Sequence, residues 1–406
     1  MATLKYWIWL TTQAGLSAPR ITDLLEQFGT PEQVYFAAPE EYEELPRTLQ
    51  NALRDKKLDH AEAVLEQCQR LGISLMTIQD AHYPDCLKNI PDPPAVLYYK
   101  GRLPDFDREL TIGMVGSRNC SEYGKMMATR LSLELARSGA VVISGIAQGI
   151  DSTAIKGALS GGGVVVSVLA GGIDKIYPWE SRFLYEDVTA TGALISEYPP
   201  GTPHKGVHFP VRNRIISGLS DGVVAIEAEE KSGTMITMDL ALEQNRDTFA
   251  VPGPADAPMS TGTNKLIRQG WAKLVTSGAD ILNEYEGRRP IRRALPFDQE
   301  ELEQRTEAVI KSEDRRESAA KKVVDKTENR AYIDWKSARE LFTDDEREIL
   351  TALQEKDRVA DEIIEITQIP TRRVLSALTV LQVRGYVEEL PGKRFKALIL
   401  LYQEAN

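Results

Sequence analysis

The first 80 residues have the apolar spacing of helices. Apolar side chains recur every three or four positions in two runs: Ile21, Leu24, Leu25, Phe28 and Leu58, Ala61, Val64, Leu65, Cys68. Gly29 and Gly72 follow these runs, and glycine is common immediately after a helix. We therefore predict a helical N-terminal domain over residues 1–80.

Residues 81–297 alternate short β-branched runs with helical periods. The predicted strands are Thr111–Val115, Val141–Ser144, Val164–Leu169, Leu194–Ser196, Gly222–Ile226 and Thr248–Val251. The predicted helices are Glu122–Ser138, Ser152–Leu159, Ser181–Thr191, Arg212–Leu219 and Thr234–Gln244. Repeated strand–helix–strand units are typical of an α/β domain whose mostly parallel sheet carries helices on both faces.

The remaining chain divides into a charged linker, residues 298–340, and a small domain, residues 341–406. Helical patterns cover Glu346–Leu353, Ala360–Ile366 and a third helix that Thr371 would cap and that runs to Arg384. Tyr386–Leu390 and Arg394–Leu401 then form a predicted hairpin. Three helices followed by a hairpin predict a winged helix-turn-helix.

Composition limits the class of protein. The 406 residues are 42% hydrophobic and 27% charged, with a net charge of −11. This balance excludes a protein that coats DNA through overall positive charge, although a local basic pocket is compatible with it.

Cys68, Cys86 and Cys120 form no CxxC pair, so neither a disulfide framework nor a zinc site is expected. No apolar run is long enough for a membrane span, and we expect a cytoplasmic protein.

The histidines do not form a metal-binding motif. His204 and His208 are four residues apart, but they lie in a stretch rich in glycine and proline, without a cysteine or a third histidine nearby. A full GxGxxG is also absent, which disfavours a dinucleotide site. We therefore expect neither a metal nor a cofactor.

The segments after the strands are the candidate binding loops, because open parallel sheets bind ligands beyond the carboxyl ends of their strands. Gly116, Ser117 and Arg118 follow the first strand and combine a tight turn, a helix start and a guanidinium suited to phosphate. The loop after the second strand consists largely of small residues, among them Ser144, Gly145, Ala147 and Gly149. Such a loop brings backbone N–H groups close to a phosphate. Alternatively, its glycines serve only a tight turn.

Residues 201–214 contain three cations and no acidic residue. The candidate contacts in this window are Lys205, Phe209, Arg212, Asn213 and Arg214. Basic groups hold phosphates and an aromatic face stacks on a base. The alternative is that Phe209 packs in the core and that the arginines pair with Glu197 or Glu227.

Ser232, Gly233 and Thr234 open another helix after a strand. Their hydroxyls either cap that helix or receive an anion. Together with the other loops they converge on one edge of one sheet, which predicts a groove for a polyanion. The sequence has neither a nucleophile elbow nor a Walker lysine loop, so binding is favoured over catalysis.

These segments resemble the DNA-processing protein A family (DprA, also called Smf). The matching residues are Gly116-Ser117-Arg118, Ser121-x-Tyr123-Gly124, Ser144-Gly145-x-Ala147-x-Gly149-Ile150-Asp151, Ser196-Glu197-x-Pro199-Pro200-Gly201, Phe209-Pro210-x-Arg212-Asn213-Arg214, Ser232-Gly233-Thr234 and Val251-Pro252-Gly253. Trp271 departs from the family, which usually has alanine there.

The resemblance implies a protein that binds single-stranded DNA and loads the RecA recombinase on it during natural transformation. It implies an extended Rossmann-like central domain that forms a homodimer, an N-terminal domain like a sterile alpha motif, and a winged helix found in some members. Arg118 matches the family's phosphate-binding arginine. The segment through Phe209–Arg214 matches its DNA pocket, with Lys205 as the lysine contact.

Two other functions are considered. A phosphoribohydrolase-like enzyme of related fold would carry a longer glycine-rich run, of which Ser232-Gly233-Thr234 is a fragment, with Thr237 where the enzyme has glutamate. A winged-helix transcription regulator would read duplex DNA, and the candidate contacts are Arg372, Arg373, Lys393 and Arg394. Acidic residues outnumber basic ones in that segment, so an accessory role is favoured.

Overall fold

The computed structural model describes residues 3–13, 15–291, 306, 331–334, 342–353, 357–367, 369–384, 386–390, 393–397 and 399–402. The chain divides into two compact units, Met1–Asp314 and Arg315–Asn406. In the described part, no helix combines the length and the apolar character needed to cross a membrane.

The chain begins with helices, as the apolar spacing predicts. They are α1 (Leu4–Thr12), α2 (Ala18–Phe28), α3 (Pro31–Phe36), α4 (Arg47–Arg54) and α5 (Asp59–Leu71). The Gly29 N–H donates to the Leu25 carbonyl after α2, and Gly72 follows α5 with φ 65° in the left-handed region. Both predicted helix ends are therefore confirmed. The buried side chains Trp9, Leu24 and Val64 belong to the same hydrophobic core as the large sheet that follows.

A nine-stranded sheet forms the centre of the first unit. Its strands are β1 (Ser74–Thr77), β2 (Val96–Gly101), β3 (Thr111–Val115), β4 (Val141–Ser144), β5 (Val165–Leu169), β6 (Ala193–Ser196), β7 (Gly222–Ala225), β8 (Asp247–Ala250) and β9 (Lys273–Leu274). Their order is β1-β2-β6-β5-β4-β3-β7-β8-β9. The pairs β1–β2 and β2–β6 are antiparallel, and the others are parallel.

The sequence did not predict β1, β2 or β9, which lie toward the two edges of the sheet. β9 is exposed and has two residues, so it has no alternating pattern to detect. β1 lies at Ser74–Thr77, before the boundary predicted at residue 80, and pairs with β2. The sheet therefore begins inside the segment predicted to be helical.

Helices cover both faces of this sheet. They are α6 (Asp85–Lys88), α7 (Glu122–Arg137), α8 (Ile150–Ser160), α9 (Arg182–Thr191), α10 (His208–Gly218), α11 (Gly233–Glu243), α12 (Thr261–Arg268) and α13 (Gly278–Leu282). Val142 of β4 faces the core shared with α7 and α8, whereas Val141 and Ile143 face the core shared with α10 and α11. This alternation follows from the two-residue period of a strand. The predicted α/β fold is confirmed.

The second unit contains a short helical core and a hairpin. Its elements are β10 (Ala331–Asp334), α14 (Asp344–Ala352), β11 (Arg358–Val359), α15 (Ala360–Thr367), α16 (Thr371–Val383), β12 (Val387–Leu390), β13 (Arg394–Ala397) and β14 (Ile399–Tyr402). β12 and β13 pair antiparallel, as expected of a wing. Ile349, Val374 and Leu381 lie in the core beneath α14, α15 and α16.

Three expectations for this unit need adjustment. Thr371 does not cap α16, because Pro370 occupies the cap position and Thr371 is the first helical residue. The predicted strand Arg394–Leu401 is two strands, since β14 pairs in parallel with β10. β10 lies within the predicted linker, of which residues 298–305, 307–330 and 335–340 fall outside the described residues.

Candidate nucleic-acid interface

A cavity of about 590 Å³ opens at the carboxyl edge of the sheet. The predicted residues that line it are Gly116, Ser117, Arg118, Ala147, Phe209, Arg212, Asn213, Ser232, Gly233 and Thr234. Ser144, Gly145, Gly149, Lys205 and Arg214 do not line it. The segments expected to converge at this edge therefore do converge, with these five predicted residues outside the lining.

The loop after β3 is fixed at both ends by Glu227. The Glu227 carbonyl accepts a hydrogen bond from the Ser117 N–H at 2.8 Å. Its carboxylate accepts from the Ser121 N–H at 2.8 Å and from the Ser121 hydroxyl at 2.5 Å. The Ser121 hydroxyl also accepts from the Gly124 N–H and so caps the start of α7. Arg118 lies between these two anchors.

Arg118 is exposed at the cavity, and its guanidinium carbon lies 4.8 Å from the centre of the Phe209 ring. Within the described part of the chain it forms no ion pair. A Cβ at Gly116 would lie 2.5 Å from Cγ1 of Ile150, so the loop before Arg118 has room only for glycine. This leaves a positioned cation free for a phosphate.

The loop after β4 is shaped by its glycines. Gly149 has φ 80°, and a Cβ there would lie 2.4 Å from the Ser117 carbonyl oxygen. Its conformation therefore needs glycine, which is what the alternative of a tight turn predicts. The Ser144 hydroxyl donates to the Met114 carbonyl at 2.8 Å and is buried. Of the four predicted residues in this loop, only Ala147 lines the cavity.

Arg212 and Asp151 are two buried charges in the cavity wall. The Arg212 guanidinium donates to the Gly145 carbonyl at 3.0 Å and to the Val168 carbonyl. The backbone N–H groups of Ala147 and Gly145 favour the charged form of the Asp151 carboxylate. Burial raises the pKa of Asp151 to about 6 and lowers the pKa of Arg212 to about 10. Arg212 therefore stays cationic at neutral pH, while Asp151 titrates close to it.

The other two cations of the basic window lie outside the cavity. Arg214 is buried and pairs with Glu197 at 2.7 Å and Asp92 at 3.1 Å. This is the ion-pairing alternative, and it makes Arg214 a structural residue. Lys205 is exposed and is not among the lining residues. α10 begins at His208, four residues before the helix predicted to start at Arg212. Arg212 and Arg214 are two residues apart on this helix and therefore point about 200° apart around its axis.

Aromatic rings form one side of the cavity. The ring centres of Tyr177 and His204 lie 5.3 Å apart in a stacked arrangement, and those of Tyr177 and Phe209 lie 5.8 Å apart. Nε2 of His204 bonds to the Lys175 carbonyl at 2.8 Å, and burial lowers the pKa of His204. The imidazole is therefore neutral at pH 7 and serves as part of a stacking surface.

Sequence reasoning missed Asn119, Asp151, Tyr177, His204 and Thr237 as lining residues. Tyr177 and His204 come from loops after β5 and β6, whose ends lie beside each other because these strands pair. Asp151 had a signal, since it ends the small-residue segment after β4.

The start of α11 also faces the cavity. Ser232 occupies the cap position, but its hydroxyl donates to the Glu229 carbonyl at 2.9 Å and does not cap the helix. The capping alternative therefore does not hold for Ser232. Gly233 and Thr234 form the first turn beside the cavity, where backbone N–H groups favour an anion.

Comparisons with known proteins identify the family of this chain. Residues 74–286 match the family model for DNA recombination-mediator protein A. The chain belongs to this family, which is also called DprA or Smf. Residues 336–393 match the DprA winged helix domain, so the winged helix is confirmed.

Relatives of the DprA family cover most of the chain. It is 44% identical over 221 residues to DNA processing protein DprA of Bacillus subtilis, covering 54% of this chain and 74% of that one. It is 31% identical over 405 residues to protein Smf of Synechocystis, covering 96% and 98%. The crystal structure of DNA processing protein A from Streptococcus pneumoniae has a TM-score of 0.62 at 34% identity, covering 69% of this chain and 97% of that chain.

The winged helix of this DprA-family chain offers a different set of cations. Arg373 forms a bidentate pair with Asp345 at 2.6 and 2.7 Å. Arg394 donates to the Asp357 carbonyl at 2.9 Å. Arg372 and Lys393 are exposed, and Leu375 on α16 is also exposed, at 48%. The face predicted to contact duplex DNA is thus partly neutralised and partly apolar.

Proposed function

We propose that this chain binds single-stranded DNA in the cavity at the carboxyl edge of its sheet. The observation that carries this is the contact of Arg118 with the Phe209 ring beside Tyr177. A guanidinium holds a phosphate and the rings stack on a base. Bases reach such rings only when they are unpaired, which favours a single strand over a duplex. Family membership as a DNA recombination-mediator protein supports a nucleic-acid ligand.

The cavity is better suited to holding DNA than to transforming it. A phosphoribohydrolase-like reaction would need a carboxylate at the ligand, and Glu227 and Glu230 in the segment after β7 are acidic residues that could supply one. Glu227 instead bonds to Ser121, Glu230 lies 3.6 Å from Lys265, and neither lines the cavity. The Asp151 carboxylate does line the cavity, but it is buried in the wall together with Arg212. We therefore propose a binding protein, not an enzyme.

We also propose that the chain acts as a homodimer through its Rossmann-like domain and loads RecA on bound single strands during natural transformation. The family name, a recombination mediator, supports this role. RecA filament assembly on strands precoated with a single-strand-binding protein measures it. Addition of this chain should accelerate assembly, and an unchanged rate would contradict RecA loading.

A gel shift with single- and double-stranded oligonucleotides tests the binding proposal. Single strands should bind more tightly, and log affinity should fall by about 0.7 per phosphate contact for each log unit of salt. Arg118→Ala should weaken binding to all sequences alike, because phosphates carry no sequence information. Arg108→Ala is the matched control, since Arg108 is exposed on the same unit and does not line the cavity. Equal single-strand affinity of Arg118→Ala and wild type at moderate salt would reject the cavity as the binding site.

A further inference from the structure

A second aromatic surface begins where the cavity ends. Tyr177 lines the cavity, and Trp179 follows two residues later, so their Cα atoms are at most about 7 Å apart. Trp179 is 56% exposed and Phe183 is 46% exposed. We call Trp179, Arg182 and Phe183 the aromatic ledge.

Arg182 holds a cation over both rings of the aromatic ledge. Its guanidinium carbon lies 4.1 Å from the centre of the Phe183 ring and 5.2 Å from that of Trp179. One guanidinium nitrogen donates to the Trp179 carbonyl at 3.3 Å. Among the described residues Arg182 forms no ion pair, so its charge is available to a phosphate.

The ledge repeats the pattern of the cavity. In the cavity, Arg118 lies over Phe209 beside Tyr177; on the ledge, Arg182 lies over Phe183 and Trp179. Alternation of cations and exposed rings is how proteins hold successive nucleotides of a single strand without reading their sequence. Tyr177 lines the cavity and lies two residues before Trp179, so the backbone of the ledge begins within about 7 Å of that of the cavity.

We propose that the aromatic ledge is a second binding segment for the same single strand, which takes the nucleotides that emerge from the cavity past Tyr177. The phosphate of an emerging nucleotide contacts Arg182, and its base stacks on Trp179 or Phe183. This inference rests on the proposed binding of single-stranded DNA in the cavity. It predicts in addition that a strand long enough to reach the ledge binds more tightly than one that occupies only the cavity.

Fluorescence anisotropy with two labelled oligothymidylates tests this length dependence. The short strand has about 5 nucleotides and fits within a single binding site. The long strand has about 20 nucleotides and extends beyond it. The double variant Trp179→Ala/Phe183→Ala should bind the long strand about tenfold more weakly, because each stacked base contributes to affinity. It should bind the short strand within about twofold of wild type, because the cavity is unchanged. Phe36→Ala is the matched control, since Phe36 is 67% exposed on the N-terminal helices, away from the cavity lining.

A second variant keeps the rings in place and removes only the charge. Arg182→Gln should reduce the salt slope of long-strand binding by about 0.7 and leave the short-strand slope unchanged. Circular dichroism reports whether each variant remains folded.

The outcomes separate the two proposals. Long-strand affinity of the ledge variants equal to wild type overturns the ledge, and the cavity proposal then stands if Arg118→Ala still weakens both strands. Equal weakening of both lengths by the folded ledge variants also overturns it, since the ledge would then act through the cavity. A wild-type protein that binds neither strand overturns both proposals.

Discussion

The cavity and the winged helix both contain arginines on or near a helix, but the partners of these arginines differ. At the cavity, Arg118 forms no ion pair with the described residues, and Arg212 is aimed by two backbone carbonyls. In the winged helix, Arg373 is neutralised by Asp345. The contrast shows that the partners of a cation, more than its position in the sequence, determine whether it is available to a phosphate.

The same contrast exists within α10, two residues apart. Arg212 lines the cavity, whereas Arg214 is buried against Glu197 and Asp92. Removing Arg214 leaves both carboxylates without their cation, and breaking a buried pair costs about 3–5 kcal/mol. Arg214→Ala should therefore lower the free energy of unfolding by that amount in a denaturant titration.

The comparison variant is Arg118→Ala. Arg118 is exposed and unpaired among the described residues, so its loss should change stability by less than about 0.5 kcal/mol. Identical unfolding midpoints for the two variants would contradict the division into a structural and a binding arginine.

A smaller effect, on single-strand affinity, should come from protonation of the Asp151 carboxylate beside Arg212. Burial raises the pKa of Asp151 to about 6, so lowering the pH through this value removes a negative charge from the cavity wall. Single-strand affinity should rise about fivefold between about pH 7.5 and pH 5.5, which corresponds to about 1 kcal/mol. Anisotropy at constant ionic strength measures it.

The variant Asp151→Asn isolates this titration. Its affinity should respond less to pH over that interval than that of wild type, because the carboxyl group that titrates near pH 6 is gone. A full pH response in Asp151→Asn would assign the effect to His204 or to the DNA.

The smallest effect is expected in the winged helix. Arg372→Ala should change single-strand affinity by less than about twofold, as for an exposed substitution away from the site. The same anisotropy titration measures it. A loss as large as that of Arg118→Ala would move the main single-strand site to α16 and reverse the comparison.

The sequence predicted the centre of the fold better than its edges. β3, β4 and β7 are fully buried strands rich in β-branched residues, and they lie close to their predicted positions. β1 and β9 are short edge strands, and their pairing depends on distant residues that a local pattern does not contain. The sterile-alpha-motif likeness, the domain boundaries and the dimer stay predictions.

The site was predicted in outline, with errors that have physical causes. Strand-end loops with glycine and arginine located the cavity, because parallel strands bring their carboxyl ends together. Charge counting grouped Arg212 with Arg214, although both lie in the predicted helix Arg212–Leu219 and residues two apart on a helix point to nearly opposite sides. Tyr177 and His204 reach the cavity through long loops, so only the tertiary structure places them together.

The strand β1 has a consequence for shortened versions of the chain. It covers the edge of β2, whose residues Val96–Tyr99 are apolar or aromatic. A chain that starts after residue 80 would expose a row of unpaired N–H and C=O groups on that apolar edge, and such edges recruit strands from other copies. The N-terminal segment thus protects the sheet from self-association, in addition to contributing helices to its core.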